Sequence, residues 1–242
     1  MMYNRLMRLD KLLANSGYGT RSKVRDLISS GAVTVNGTCI TDSGYHVSEE
    51  DQVRIGGEDC NGKEHLYFIF DKPDEVLTAM EDKRYKCVGD YIPEELKGKH
   101  LSPVGRLDYH TTGLLIITND GDLNHKLTSP RYRIPKTYLV TYSGDILTED
   151  ISNELSSGIT LHDMEKDTKL APCTLEIIDS RTCLITLTEG KTHEVRRIIS
   201  HYGRQVIALR RISIADLKLE EEAPGMLREM TDRELQAILS RL

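Results

Sequence analysis

The chain has 242 residues, of which 38% are hydrophobic and 29% charged, and a net charge of −6, the composition of a globular protein with one large domain or a small and a medium one. No stretch reaches the roughly 18 apolar residues that suggest a membrane span, and the amphipathic, charge-interrupted start MMYNRLMRLDKLLANSG is not a secretory signal. Five scattered cysteines without a C-x-x-C pair argue against a disulfide framework or a zinc site and point to a reducing cytoplasm.

In chain order, a first helix is predicted over about residues 7–15, with Leu9, Leu12 and Leu13 on one face, broken by Gly17 and Gly19. A second follows over about 20–30, with Thr20 as N-cap, Val24, Leu27 and Ile28 at helical spacing, and Gly31 as its end. Two β-type runs in 32–40 flank Asn36-Gly37, a hairpin signal, and a third strand covers 52–55. These form an ααβ unit. The polar run 56–64 reads as a linker.

A strand over 66–70 opens the second part. Further strands are predicted near 102–106, 113–118, 136–143, 172–179, 182–188 and 205–214, and helices near 120–128, 148–157 and 192–202. The last helix starts at Thr231, where Thr231 and Glu234 make a capping box. Strands outnumber helices and do not alternate strictly with them, so the expected class is α+β around a mixed, mainly antiparallel sheet.

The negative net charge hides two basic segments. Residues 1–40 carry Arg5, Arg8, Lys11, Arg21, Lys23 and Arg25 against Asp10 and Asp26. Residues 191–211 carry Lys191, Arg196, Arg197, Arg204, Arg210 and Arg211 against Glu194. Local basic surface, rather than the net sum, makes a footprint for phosphates; from charge alone, solvated helix faces explain the same residues equally well.

Gly57 to Lys63 fits G-x-x-x-x-G-K, but Glu64 stands where a phosphate-binding loop needs Ser or Thr, and a strand follows instead of a helix. No nucleotide cofactor is expected there. His193 and His201 lie eight apart with no companion motif, so no metal is expected either.

Two segments carry chemistry. In SPVGRLDYHTTGLLIITNDGD, 102–122, a charged Arg106-Leu107-Asp108 sits between apolar strands, and an aspartate at the lip of a buried strand is placed to act in a cleft. A turn aspartate capping local backbone donors is the plainer reading of the same residue. In LTEGKTHEVRRIISHYG, 187–203, Val195, Ile198, Ile199 and Tyr202 form an inner helix face, while Arg196 and Arg197 near its start are candidates to point to a cleft.

Gly105-Arg106-Leu107-Asp108 with Thr112-Gly113-Leu114-Leu115 and Asn119-Asp120-Gly121 resembles the signature of the RsuA/RluB/RluE/RluF family of pseudouridine synthases. Lys136-Thr137-Tyr138 resembles the family's K-x-Y segment, and Glu189 to Arg197 its E-G-x-x-H-Q-V-[KR]-R segment. Residues 7–55 resemble an S4 RNA-binding domain. Within the family, Lys136 to Val140, Gly158 to His162 and Glu165 to Asp167 are similar to the RsuA branch, which acts on 16S ribosomal RNA. Two departures are Glu194, where the family frequently has Gln, and Asp74-Glu75, where it often has a glycine.

The resemblance implies an S4-like RNA-binding domain over 1–60 and a catalytic pseudouridine synthase domain over 65–242. It implies Asp108 as the catalytic carboxylate, Arg196 as its basic partner, Tyr138 stacked on the base and Leu209 in the pocket floor. Arg106 would fill the stack vacated by a flipped nucleotide. Arg8, Lys11, Arg21, Lys23, Arg25, Lys191 and Arg197 would bind RNA. The substrate implied is 16S ribosomal RNA or a small-subunit assembly intermediate. The chain would act as a cytoplasmic monomer, without cofactor, metal or membrane. The competing readings are a 23S ribosomal RNA or tRNA enzyme of the same family and a non-catalytic S4-type ribosome-assembly protein. A helix-turn-helix DNA-binding regulator built on residues 7–30 leaves two thirds of the chain unexplained.

Overall fold

The computed structural model describes residues 6–16, 18–19, 21–48, 50–60, 65–162, 167–220 and 222–242. They fall into two compact units. The first takes the described part of 1–67 together with 93–102 and 118–124; the second takes 68–92, 103–117 and the described part of 125–242.

The first unit opens with strand β1, Met7–Arg8, followed by helices α1, Leu9–Asn15, and α2, Arg21–Ser29. The predicted cap Thr20 and the breaker Gly17 lie outside the described residues. Strands β2, Val33–Val35, and β3, Thr38–Cys39, form the hairpin that Asn36-Gly37 called for. Both turn residues have positive φ, 50° and 80°, as a type I′ turn requires. β4, His46–Val47, pairs with β1. β5, Val53–Ile55, pairs with β2 and also with β6, Glu58–Asp59. The run taken as a linker is therefore a hairpin as far as Cys60, which is buried with Leu9, Leu13, Val24, Ile28, Val33 and Val53. Polarity misled here because both faces of so short an edge strand are solvated; residues 61–64 lie outside the described residues.

The main sheet is built on apolar runs. β7, Tyr67–Lys72, is buried over all but its first residue. After the short β8, Ser102–Pro103, comes β9, Thr112–Thr118, then α3, Gly121–Thr128, and β10, Lys136–Ser143. Next are α4, Glu149–Ser157, the hairpin β11, Thr160–His162, with β12, Asp167–Lys169, then β13, Thr174–Ile177, and β14, Thr182–Leu187. α5, Glu194–His201, leads into the long β15, Gln205–Ile214. The short β16, Leu217–Lys218, β17, Leu227–Glu229, and α6, Asp232–Leu239, complete the order. α6 carries the expected capping box of Thr231 and Glu234.

The sheet runs β13-β14-β10-β15-β9-β7-β17, with β16 on β15 and β8 on β9. The pairings β10–β14, β10–β15, β13–β14, β15–β16 and β17–β7 are antiparallel and β15–β9 is parallel, so the sheet is mixed, as expected. The parallel pairing of β15 with β9 positions the site. It sets Arg210 beside Thr112 and Arg211 beside Gly113, which brings the turn before β9 up to Leu209. Gly113 has φ 98°, and a Cβ there would lie 2.3 Å from the Arg211 carbonyl oxygen, so only glycine permits this approach.

One core cluster lies under β10, β14 and β15. Val195, Ile198 and Ile199 of α5 pack into it with Val140, Ile185, Leu187 and Leu209. Among the described residues, no helix is long and apolar enough to cross a membrane.

Candidate active site

A cleft of about 350 Å³ opens in the second unit. Its floor comes from the sheet: Tyr138 on β10, Leu187 on β14 and Leu209 on β15. One wall is the turn before β9, with Arg106, Leu107, Asp108 and Thr111; the other is the 190–195 segment entering α5. Tyr138 is half-buried and packs against the cluster containing Leu209. Asp108 keeps 38% of its side chain exposed at the lip.

The Asp108 turn is held from below. Lys72, at the end of β7, has no exposed surface. Its ammonium donates to the carbonyls of Pro73, Tyr109 and Thr111 at 3.0, 3.2 and 2.9 Å. Burial lowers its pKa to about 8, while the charges of Asp74 and Asp108 favour the protonated form. From the side, Thr78 Oγ1 donates to the Leu107 carbonyl at 2.7 Å and lies 3.1 Å from the Leu107 amide that donates to it.

Arg196 was expected to pair with Asp108. Its Nη2 instead donates to the His110 carbonyl at 2.9 Å, and Arg196 does not line the cleft. Set inside the first turn of α5, its side chain reaches the backbone of the Asp108 turn rather than the carboxylate. Among the described residues the basic side chain set against the Asp108 carboxylate is His193, with Nε2 3.5 Å from Oδ1, an ion pair when the imidazole is protonated. His193 has a left-handed backbone, φ 51°, just before α5, which turns its ring into the cleft mouth.

Behind that wall Glu194 is buried, and its Oε2 accepts the Lys191 amide at 2.8 Å. Burial pushes its pKa up to about 7, and the neighbouring Glu189 carboxylate adds to the rise. Glu189 accepts from the Ala171 amide at 2.7 Å and from the Lys191 ammonium. Lys136 is pulled down to about 8, by burial first and then by Arg211, with Glu194 opposing.

Many of the basic residues prove to be structural. Arg210 makes a bidentate pair with the fully buried Asp71, at 2.9 and 2.7 Å. Arg211 is buried and donates to the Leu114 carbonyl at 2.8 Å. Arg204 holds the carbonyls of Asp145, Ile146 and Tyr202. In the first unit, Arg8 and Arg25 both pair with the buried Asp10, and Lys11 lies 3.5 Å from Asp122. Arg21 and Lys23 are exposed on α2. Lys191 lines the cleft, whereas Arg197 donates to the Thr192 carbonyl. Charge counting cannot separate such internal arginines from phosphate-binding ones, because both have the same sequence signature.

Residues 66–201, more than half the chain, match the family described as RNA pseudouridylate synthase. The chain belongs to that family. Residues 7–53 match the S4 domain. A Bacillus subtilis protein named uncharacterized RNA pseudouridine synthase YtzG is 41% identical over 96% of this chain and 98% of its own. Ribosomal large subunit pseudouridine synthase B of the same organism is 36% identical, covering 96% and 95%. Ribosomal small subunit pseudouridine synthase A of Haemophilus influenzae is 34% identical, covering 96% and 100%. A crystal structure of a pseudouridylate synthase superposes with a TM-score of 0.70 at 33% identity, over 96% of this chain and 99% of that one. The chain is thus an enzyme that isomerises uridine in RNA to pseudouridine.

Two features of this cleft, Lys72 and His193, go beyond what the sequence singled out as its site. For Lys72 the available signal is a lysine closing an otherwise apolar strand, since a buried ammonium must be holding something. His193 was weighed only as a metal ligand, and its left-handed backbone leaves no mark in the sequence.

Proposed function

We propose that the chain converts one uridine of small-subunit, 16S ribosomal RNA, free or in an assembly intermediate, to pseudouridine, with Asp108 as the acting carboxylate. The observation that carries this is the placement of Asp108 at the lip of a cleft floored by Tyr138 and Leu209. The bond between N1 and C1′ breaks, the uracil turns, and C5 bonds to C1′; C5 loses one proton and N1 gains one, so the reaction is redox-neutral. A stacked base hides its glycosidic bond, so the nucleotide flips out at a cost of about a few kcal/mol. Tyr138 offers the flipped uracil an aromatic face, Leu209 an apolar floor, and Arg106, exposed at the cleft wall, fills the vacated stack.

Lys72 supplies positive potential near Asp108, His193 sets a ring nitrogen 3.5 Å from its carboxylate, and Arg196 braces the turn through the His110 carbonyl. Residues 1–60 serve as the S4-type RNA anchor through Lys11, Arg21 and Lys23, and 65–242 as the catalytic domain; the setting is the cytoplasm, where ribosomal RNA is made and used. Relatives named for both subunits are similar to this chain. The 16S choice rests on the Gly158 to His162 and Lys136 to Val140 segments. Carbodiimide mapping of pseudouridine in 16S, 23S and transfer RNA from a deletion strain tests it. A single missing site in 16S RNA is expected, and a missing site only in 23S or transfer RNA overturns the choice of substrate.

A further inference from the structure

The loop that follows β7 carries features the reaction just described does not use. Leu77 and Cys87 form a bridge, and the Leu77 amide donates to the Lys86 carbonyl at 2.9 Å. Within the loop so closed, Asp82 Oδ1 accepts the amides of Arg84 and Tyr85 at 2.8 and 2.9 Å. At its base, Gly89 passes so close to Met80 that a Cβ there would lie 1.8 Å from the Met80 carbonyl oxygen. The tip is thus held in one shape, and Thr78 ties the loop to Leu107, next to Asp108.

What this fixed loop presents is Lys83, Arg84 and Tyr85, all exposed. Tyr85 leaves 55% of its surface in solvent. Its ring lies edge-on to that of Tyr109, the residue after Asp108, with centroids 5.7 Å apart, and Tyr109 is in turn edge-on to His110 at 4.8 Å. Asp74 and Glu75 are the acidic neighbours of Tyr109, and Asp74 is already paired with His110 at 3.0 Å. An aromatic face held rigid beside the cleft mouth, with two cations at its tip, has the chemistry of a single-stranded RNA site. There, bases stack on rings and cations take the phosphates.

We infer that Tyr85, backed by Tyr109, stacks an unpaired base flanking the target uridine, with Lys83 and Arg84 on the adjoining phosphates. This rests on the reading that the Asp108 cleft receives the uridine. Removing one base–aromatic stack weakens binding by about 5- to 150-fold. The probe is a ribosomal RNA fragment on which the wild-type protein forms pseudouridine. On it, Tyr85→Ala raises Kd and KM together by that factor and leaves kcat at saturating RNA near wild type, whereas Tyr85→Phe stays within about twofold of wild type, because a phenyl ring retains the stacking face. The chain has no tryptophan, so Tyr85→Trp gives a single reporter whose emission shifts when RNA binds. Replacing the flanking nucleotides one at a time by abasic ones should find a position where the wild type loses the same factor and Tyr85→Ala loses nothing more.

Tyr85→Ala binding within about twofold of wild type, an indole emission in Tyr85→Trp that RNA leaves unchanged, or no abasic position that removes the difference each overturns the inference while the Asp108 reading stands. A wild-type protein that modifies no ribosomal RNA overturns the ribosomal reading and this inference with it.

Discussion

Glu194 holds two tasks at one residue. As a carboxylate it accepts the Lys191 amide, but its buried Oε1 then has no hydrogen-bond partner among the described residues. As a neutral acid it avoids burying a charge, and only one of the two adjacent carboxyl groups, Glu189, is then ionised. Its folded pKa of about 7 stands above the ordinary 4.5. The folded chain therefore binds more protons than the unfolded one between those values. Stability falls as pH rises through that window and is lowest above it. Glu194→Gln removes the penalty: melting temperature should rise by a few degrees at about pH 8 and change little at about pH 5, each kcal/mol being worth about 2–4 °C in a chain of this size. Equal shifts at both pH values, or a fall at the higher one, would sink this account of the residue. The charge itself was legible, since Glu stands where the family frequently has Gln; its burial against Glu189 was not, because that depends on the left-handed turn at His193.

At the scale of elements, the Asp108 turn is fixed by the ends of β7 and α5 rather than by its own sequence. Lys72→Met keeps the volume but takes the ammonium from the carbonyls of Pro73 and Thr111, while that of Tyr109 keeps the Glu75 amide. Unsatisfied buried groups cost about 1–3 kcal/mol, so thermal unfolding should move down by several degrees. Turnover should fall further than stability does, measured at a temperature where the variant is fully folded. Wild-type melting and turnover in Lys72→Met would show that the turn needs no such anchor. The sequence revealed most of the elements that build this frame. Apolar runs marked β7 and β9, helical spacing marked α5, and Asn36-Gly37 and Thr231-x-x-Glu234 marked a hairpin and a cap. It did not reveal β4, β6, β11, β12, β16 and β17. These strands have two or three residues each. So short a run has no period to read, and its pairing is decided by distant partners.

For the whole molecule, we assign RNA anchorage to the first unit and chemistry to the second. Arg8 and Arg25 share the buried Asp10, and we assign the phosphate contacts of the first unit to Lys11, which lies 3.5 Å from Asp122, and to Arg21 and Lys23, exposed on α2. Changing these three to Ala should flatten the log–log salt slope of RNA binding by about 2–3 units, at roughly 0.7–0.9 per phosphate contact. Turnover at saturating RNA should survive, and an unchanged slope would remove the first unit from phosphate binding. The central claim is chemical, and one comparison tests it most directly: pseudouridine mapped by carbodiimide in 16S ribosomal RNA incubated with wild type and with Asp108→Asn. The two side chains are nearly isosteric, so the variant should melt and bind RNA like wild type. Wild type should mark one uridine and Asp108→Asn none. Substantial product from a folded Asp108→Asn protein would contradict the account.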